Sequence, residues 1–242
     1  MANSRIEWTG STWNPATGCT KVSAGCTNCY AEKMALRLKS MKVEKYSNGF
    51  NFTVHEEALK EPYGWKKPKM VFVNSMSDLF HEKMPFNFLK KVFNVMNENQ
   101  IHTFQLLTKR ANSLAIYSET LKWTNNIWMG VSIEDFTQLE RLNLLKSTQA
   151  KIKFLSIEPL LTELPEIDLS GIDWVIVGGE SGPNARPIKE EWVLKIKDNC
   201  RKYDVPFFFK QWGGKNKKKS GRLLNGKTYD EMPVPKIKSS TY

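Results

Sequence analysis

Trp174-Val175-Ile176-Val177-Gly178-Gly179-Glu180-Ser181-Gly182 is the stretch that decides the fold, because a wholly apolar run ends there in glycines and polar residues. An amphipathic segment at 189–203 follows, and then a second apolar run at 206–210. Short runs that are almost wholly apolar are typical of strands buried on both faces, as in parallel sheets. A strand, a helix and another strand in this order predict a βαβ unit.

The same alternation extends along most of the chain. Further strands are predicted at 12–16, 70–74, 103–108, 127–132 and 152–157, and helices at 29–41, 86–99, 111–121 and 136–147. This order predicts an α/β fold with a parallel sheet. Because no repeat, low-complexity stretch or linker interrupts it, we expect one domain over residues 1–242 with a basic loop or tail from about residue 213.

The composition is that of an ordinary globular protein, with 242 residues, 40% hydrophobic and 25% charged. No apolar run approaches the roughly 20 residues that span a bilayer, and the N-terminus does not resemble a secretory signal. We therefore expect no membrane partner and a cytoplasmic location. Thiols stay reduced there, which favours metal-binding or catalytic cysteines over disulfides.

The formal net charge is +11, and this favours anionic partners, above all nucleic acid or a nucleotide. The charge could instead serve only solubility. Residues 213–227 contain six basic residues and no acidic one. Such a run is either a solvated loop or a contact for phosphates. The candidate nucleic-acid contacts in it are Lys215, Lys217, Lys218, Lys219 and Arg222.

Three of the four cysteines, Cys19, Cys26 and Cys29, share one short segment with the spacing C-x6-C-x2-C. Three thiolates without a nearby fourth suit a 4Fe-4S cluster that keeps one iron open, since four cysteines usually hold a cluster that only carries electrons. Zinc with a distant fourth ligand, such as Cys200 or His81, stays open. A redox pair of Cys26 and Cys29 would leave Cys19 unexplained. Cys200 itself has the helical spacing of a buried core thiol.

Polar clusters directly follow the predicted strands. In barrels and open sheets of βα units, ligands bind at the carboxyl ends of the strands, so we expect these side chains to form a binding rim. Ordinary loops are the alternative, and Glu158 could equally pair with Lys109 or Lys210. The candidates for binding substrate are Lys109, Arg110, Gly178, Gly179, Glu180, Arg186, Lys210 and Trp212. Their glycines would let a ligand approach the backbone, their charged groups would bind amines or phosphates, and Trp212 would stack on a base.

Several motifs together resemble the three-Cys-motif proteins of phages and bacterial mobile elements, a largely uncharacterised family. They cover the chain from Trp13 to Pro233. The motifs are Trp13-Asn14-Pro15, Gly18-Cys19, Gly25-Cys26-Thr27-Asn28-Cys29-Tyr30-Ala31, Gly130-Val131-Ser132, Leu155-Ser156-Ile157-Glu158-Pro159-Leu160-Leu161, Val177-Gly178-Gly179-Glu180-Ser181-Gly182 and Phe207-Phe208-Phe209-Lys210-Gln211-Trp212-Gly213-Gly214.

That family is similar to the radical S-adenosylmethionine (SAM) superfamily. The resemblance implies a partial TIM-like (β/α)6 barrel, a 4Fe-4S cluster at its rim, SAM on the open iron, and an external reductant. It also implies cleavage of SAM to a 5′-deoxyadenosyl radical. The sequence departs from the superfamily in its longer first cysteine gap and in Tyr30, which follows the last cysteine. The implied cofactor-binding residues are Tyr30, Ser75, Ser77 and Asp78, then Ser132 and Glu134 for the ribose, with Glu158 nearby.

These observations lead to one main hypothesis and two alternatives. The main one is a radical SAM-like enzyme that repairs or modifies nucleic acid or a nucleotide. The first alternative is a nucleic-acid-binding protein with structural zinc or a closed cluster and no catalysis. The second is an interaction module that works only with a protein partner encoded nearby.

Overall fold

Seven parallel strands form one curled sheet in the computed structural model, which describes residue 4 and residues 6–233. The strands follow each other in the sheet in chain order, so every connection leads to the next neighbour, as in a TIM barrel. The partial TIM-like barrel is therefore confirmed. Its strands are β1 (Ser11–Trp13), β4 (Met70–Val73), β5 (Thr103–Thr108), β6 (Ile127–Ser132), β7 (Ile152–Ile157), β8 (Trp174–Gly178) and β9 (Phe207–Gln211); β2 (Ala16–Thr17) pairs separately and antiparallel with β3 (Thr53–Val54).

The connection from β7 to β8 contains no helix within the described residues, and the other connections contain helices at the predicted places. The predicted helix at 136–147 is the exception, because it is split into a 3-10 turn at Phe136–Gln138 and a short α-helix. Asp135 starts this turn by accepting a hydrogen bond from the Thr137 amide, 2.9 Å long. Within the described residues, none of the helices has the length and apolarity needed to cross a bilayer. The α-helices are α1 (Tyr30–Ser40), α2 (Phe86–Glu98), α3 (Ala111–Ser118), α4 (Glu140–Lys146), α5 (Glu190–Lys202) and α6 (Lys217–Ser220).

Both faces of the sheet are buried, which explains the apolar strands. In β8, Val175 and Val177 belong to the large cluster formed with the helices, which also contains Cys200 of α5. Trp174 and Ile176 belong to a second cluster inside the half-barrel. Successive side chains of a strand point to opposite faces, so one apolar run supplies both clusters. The position of Cys200 confirms that it is a core thiol.

Aromatic rings fill the lower part of the half-barrel. The Trp174 ring contacts Trp8, Trp128 and Phe208 edge-on, with centroids 5.9–6.3 Å apart. Gly130 leaves room for Phe154, whose Cζ would lie 2.5 Å from a Cβ at that glycine. These rings form an aromatic floor. A ligand of the half-barrel would therefore have to bind at the carboxyl ends of the strands, above this floor.

Candidate metal centre at the carboxyl ends of the strands

The cysteine loop, residues 18–29, crosses the carboxyl ends of the strands. It starts at Gly18, which is bridged to Ser77 just beyond β4. The Ser77 hydroxyl donates to the Gly18 carbonyl (2.6 Å), and the Gly18 amide donates to the Met76 carbonyl (3.0 Å). Gly18 has a φ of 79°, and a Cβ there would lie 2.7 Å from the Phe50 carbonyl oxygen. Only glycine meets both requirements without strain.

All three cysteines of the loop are free and partly exposed. Arg110 Nη1 donates to Cys19 Sγ at 3.4 Å. Burial and the nearby Asp78 carboxylate nevertheless outweigh Arg110 and raise the pKa of the Cys19 thiol to about 11. The thiol is therefore protonated at neutral pH in the metal-free protein. Metal ligation would release that proton.

The loop supplies three thiols, which are donors for either an iron–sulfur cluster or zinc. Over residue 4 and residues 6–233, no three His, Cys, Asp or Glu side chains are arranged to hold one ion. Tetrahedral zinc needs its sulfur ligands about 2.3 Å from one point. In a 4Fe-4S cluster each thiolate binds its own iron, so thiols spread along a loop suit it.

His81 is fixed in a supporting position beside the loop. Its Nδ1 accepts a hydrogen bond from the Lys83 amide (3.0 Å), and its Nε2 lies 3.1 Å from the Thr20 hydroxyl. Burial, followed by the Arg110 charge, lowers the pKa of His81, so the ring is neutral. With Nδ1 accepting, the proton lies on Nε2 and neither nitrogen has a free lone pair for zinc.

Arg110 clamps the first part of the loop. Its guanidinium donates to the Thr20 carbonyl (3.0 Å), to Asp78 (3.1 Å) and to Glu82 (2.8 Å). Asp78 is buried and also accepts from the Thr108 hydroxyl at 2.7 Å. The Asp78 carboxylate, predicted to bind the cofactor, thus binds the end of β5 and Arg110. It acts on the loop through that arginine.

Three other predicted cofactor-binding residues lie close together. The Tyr30 hydroxyl donates to the Ser75 carbonyl at 2.5 Å. The Ser75 hydroxyl donates to Asn14 Oδ1 at 3.2 Å. Ser77 is two residues further on, bonded to Gly18. The ring of Tyr30 is exposed where α1 leaves the loop, so it remains accessible to a ligand.

Glu134 clamps the middle of the loop. The carboxylate is fully buried and accepts from Lys109 and the Ser23 hydroxyl (2.7 Å) on one oxygen and from Arg141 (2.8 Å) on the other. Burial raises its pKa, but Lys109 and Arg141 outweigh this effect and the net shift is downward. Gly25 permits the approach, since a Cβ there would lie 2.6 Å from Glu134 Oε1. Sequence reasoning placed Ser23 and Gly25 in the cysteine-loop motif without a role, and it missed Arg141.

Glu180 and Arg186 clamp the end of the loop. Arg186 binds the carboxylate through Nε (2.9 Å) and Nη2 (2.5 Å) and also donates to the Ala24 carbonyl (2.9 Å). Asn28, next to Cys29, donates to Glu180 at 3.0 Å. Burial opposes ionisation, but the bonds from Arg186 prevail and lower the pKa of Glu180 to about 2. These two predicted substrate-binding residues therefore bind each other and the loop.

Glu158 and Lys210 form an ion pair of 2.6 Å inside the mouth of the half-barrel. Lys210 follows Phe209 of the outer cluster, so strand alternation directs it inward. Gly178 lies between them on β8, where a Cβ would stand 3.2 Å from Glu158 Oε1. Ser132 is buried at the end of β6, and its carbonyl accepts from Arg141 at 2.8 Å. Of the two partners left open for Glu158, the structure shows Lys210.

Gly179 and Trp212 serve packing between β8 and β9. A Cβ at Gly179 would lie 2.8 Å from the Trp212 carbonyl carbon, so the close approach is to the protein's own backbone. The Trp212 indole donates to the Leu223 carbonyl (2.8 Å), and its ring packs edge-on against Phe209 with centroids 4.8 Å apart. Base stacking by Trp212 would require this packing to open.

The predicted nucleic-acid contacts divide into two groups. Lys215 and Lys219 are exposed, and the backbone of Lys217 and Lys218 lies in α6. Arg222 instead binds Asp230 and donates to the Phe209 carbonyl at 3.1 Å. Arg222 therefore ties the basic segment to β9, and its charge is already paired.

The fold and site together define a parallel partial barrel with a three-cysteine loop across the carboxyl ends of its strands. The chain belongs to the family described as "Protein of unknown function (DUF5131)", whose model matches residues 3–233. The resemblance to phage three-Cys-motif proteins stays a prediction. No curated protein matches the chain.

Three solved structures of spore photoproduct lyase are similar to the chain. A variant with bound AdoMet and dinucleoside spore photoproduct is 12% identical, with a TM-score of 0.46 over 79% of this chain and 61% of that one. A second variant is also 12% identical, with a TM-score of 0.47 over 83% and 63%. The chain thus spans less than two thirds of the length of these structures.

Proposed function

We propose that this chain is an iron–sulfur enzyme of the radical SAM type that repairs or modifies nucleic acid or a nucleotide. The observation that carries the proposal is the loop with three free, partly exposed thiols, fastened across the mouth of a parallel half-barrel. The side chains that hold the loop follow strands β4, β5, β6 and β8. Active sites of βα barrels lie at this end.

Cys19, Cys26 and Cys29 would hold a 4Fe-4S cluster with one open iron. With SAM bound, the cluster would supply radical chemistry at the mouth of the half-barrel, with the electron coming from an external reductant. The aromatic floor would keep water out from below. Three protein ligands and an open iron are the combination that separates such a site from a simple electron carrier.

The rim side chains would divide into two roles. Asp78 and Glu134 already use their carboxylates within the protein, so they would position the loop. Tyr30 and the Glu158–Lys210 pair are left at the mouth to contact cofactor or substrate directly. An ion pair there can exchange partners with the amino and carboxylate groups of a ligand such as SAM.

Nucleic acid or a nucleotide is the proposed substrate class because of the charge. The net charge of +11 and the acid-free run at 213–227 favour a polyanion over a neutral substrate. The alternative of a binding protein without catalysis shares this charge. The enzyme and the non-catalytic binding protein are therefore distinguished by what the three cysteines bind.

Anaerobic reconstitution with iron and sulfide tests the proposal. The reduced protein should show a 4Fe-4S electron paramagnetic resonance signal that changes when SAM is added. Cys26→Ala should lose the cluster, whereas Cys200→Ala should keep it, because Cys200 lies buried in the outer core. A cluster indifferent to SAM would favour an electron-transfer or structural role. Stoichiometric zinc with no cluster would contradict the proposal.

A further inference from the structure

We infer that a line of exposed cations beside the cysteine loop binds the phosphate backbone of a polynucleotide. This cation track consists of Lys33 and Arg37 on α1 and Lys215 and Lys219 on the segment after β9. The inference rests on the proposed function, and it narrows the substrate class from nucleotide or nucleic acid to a polymer. It names a surface that also includes α1, outside the basic run at 213–227.

The first half of the track begins at the cysteine loop itself. Lys33 lies one turn into α1, and its amide donates to the Cys29 carbonyl at 3.4 Å. Arg37 is four residues further along, so both side chains share one face of the helix. Both are exposed, and in the part of the chain that the structure describes neither side chain forms an ion pair or hydrogen bond. By contrast, Lys21 of the loop is paired with Glu32 at 3.0 Å.

The second half of the track meets the first at Gly182. The Lys33 ammonium would lie 3.8 Å from a Cβ at Gly182, so it extends over the loop that follows β8. The Gly182 amide donates to the Gly214 carbonyl at 3.1 Å. Lys215 follows Gly214 directly. The hydroxyl of Ser220, at the end of α6, would be 3.3 Å from a Cβ at Gly214, which brings α6 and Lys219 to the same place.

Within the described residues, none of the four cations of the track is paired with a carboxylate. Glu180, which precedes the Gly182 loop, is neutralised by Arg186. Residues 213–227 carry no acidic side chain. The track therefore combines free positive charge with a position next to the three thiols. Electrostatic attraction of this kind guides a polyanion to the site before specific contacts form.

The arrangement fits successive phosphates better than one nucleotide. A pocket for a single phosphate needs donors that converge on it. Here Lys33 and Arg37 are separated by about 6 Å along the helix axis, four residues at 1.5 Å each, and Lys215 and Lys219 continue the line across another segment. Charges in a row match the repeating charge of a nucleic-acid backbone.

Salt-dependent fluorescence anisotropy with a labelled single-stranded DNA of about 16 nucleotides tests the inference. The track variants are Lys33→Ser with Arg37→Ser, and Lys215→Ser with Lys219→Ser. The matched control is Lys195→Ser with Lys202→Ser, which removes the same charge from α5, where both lysines are paired with glutamates. Circular dichroism and urea midpoints check that all variants fold.

Each track variant should weaken binding about tenfold. The negative slope of the logarithm of the association constant against log salt should become shallower by about 1.4, or 0.7 for each of the two lost phosphate contacts. The control should change affinity less than about twofold. AMP should not displace the oligonucleotide at equal phosphate concentration. Equal losses in track and control variants would mean that only net charge matters, and displacement by AMP would mean a nucleotide pocket; either result overturns the inference.

Iron content, measured on the same preparations, separates this inference from the proposed function. Binding through the track in a protein that assembles no cluster would leave the track standing and refute the enzyme. A SAM-responsive cluster in a protein that does not bind the oligonucleotide at about 50 mM salt would refute the track alone.

Discussion

Replacing Glu134 with glutamine should destabilise the protein and loosen the cysteine loop at the same time. Glutamine keeps the volume of the side chain and removes its charge. Lys109 and Arg141 then lose the carboxylate that both of them bind, and Ser23 loses an ionised acceptor. The site is dry, since the Glu134 side chain has no exposed surface.

The loss of unfolding free energy in Glu134→Gln can be estimated from the two cations that lose their carboxylate. Breaking a buried ion pair by removing one member costs about 3–5 kcal/mol, because the other charge stays desolvated. The Lys109 side chain is 21% exposed and can partly rehydrate, whereas that of Arg141 is 9% exposed. We therefore expect about 3 kcal/mol, near the lower limit. With a urea m-value of about 3 kcal/mol/M, the unfolding midpoint should fall by about 1 M.

Urea unfolding at neutral pH, followed by circular dichroism, measures this effect. Glu163→Gln is the control, since Glu163 pairs with Lys195 on the surface and its loss should leave the midpoint unchanged. The pKa of Glu134 is lowered from 4.5, so its contribution is present above pH 4.5 and is lost as pH falls through the lowered value. The gap between wild type and Glu134→Gln should therefore narrow on acidification. An unchanged midpoint at pH 7, or a gap that persists in acid, would refute the reasoning.

Three further predictions concern the loop. Gly25→Ala should displace it from Glu134 and speed amide exchange over residues 18–29, whereas Gly64→Ala should not, because a Cβ at Gly64 meets nothing within 4 Å. Alkylation of Cys19 in the metal-free protein should rise about tenfold per pH unit between pH 7 and 9, since its pKa is about 11; a plateau in that range would contradict this. Arg110→Met should lower the midpoint potential of a reconstituted cluster by removing the hydrogen bond to Cys19, and an unchanged potential would contradict that role.

The strands were predictable because burial on both faces leaves a plain signal. The predicted limits of β5, β6 and β7 match the structure to the residue. The first strand was harder, since the predicted segment 12–16 is divided into β1 and β2. Asn14 and Pro15 separate them, and Asn14 accepts from the Met76 amide at 3.0 Å. The partner of β2 is β3, more than thirty residues away, and no local pattern indicates such a pairing.

The rim residues were predictable in position but not in partner. The end of each strand fixes where a polar side chain lies, so the sequence brings Glu134, Glu158 and Glu180 to one rim. The basic side chain that pairs with each glutamate depends on which one is close enough across the rim. Glu158 pairs with Lys210 across Gly178, whereas Glu180 pairs with Arg186, which follows it by six residues in the chain. Residue spacing alone carries no information about either choice.

The rim side chains hold the loop mainly through residues other than its cysteines, and this arrangement bears on how a cluster could enter. The rim side chains bind Gly18, Thr20, Ser23, Ala24 and Asn28. Of the three sulfurs, those of Cys19 and Cys26 have hydrogen-bond partners within the described residues, at 3.4 Å from Arg110 and 3.7 Å from the Ser23 hydroxyl. The backbone is thus held while the thiols can change rotamer at little cost. If Cys19, Cys26 and Cys29 hold a cluster as proposed, the three thiols could turn toward it while the backbone of the loop stays in place.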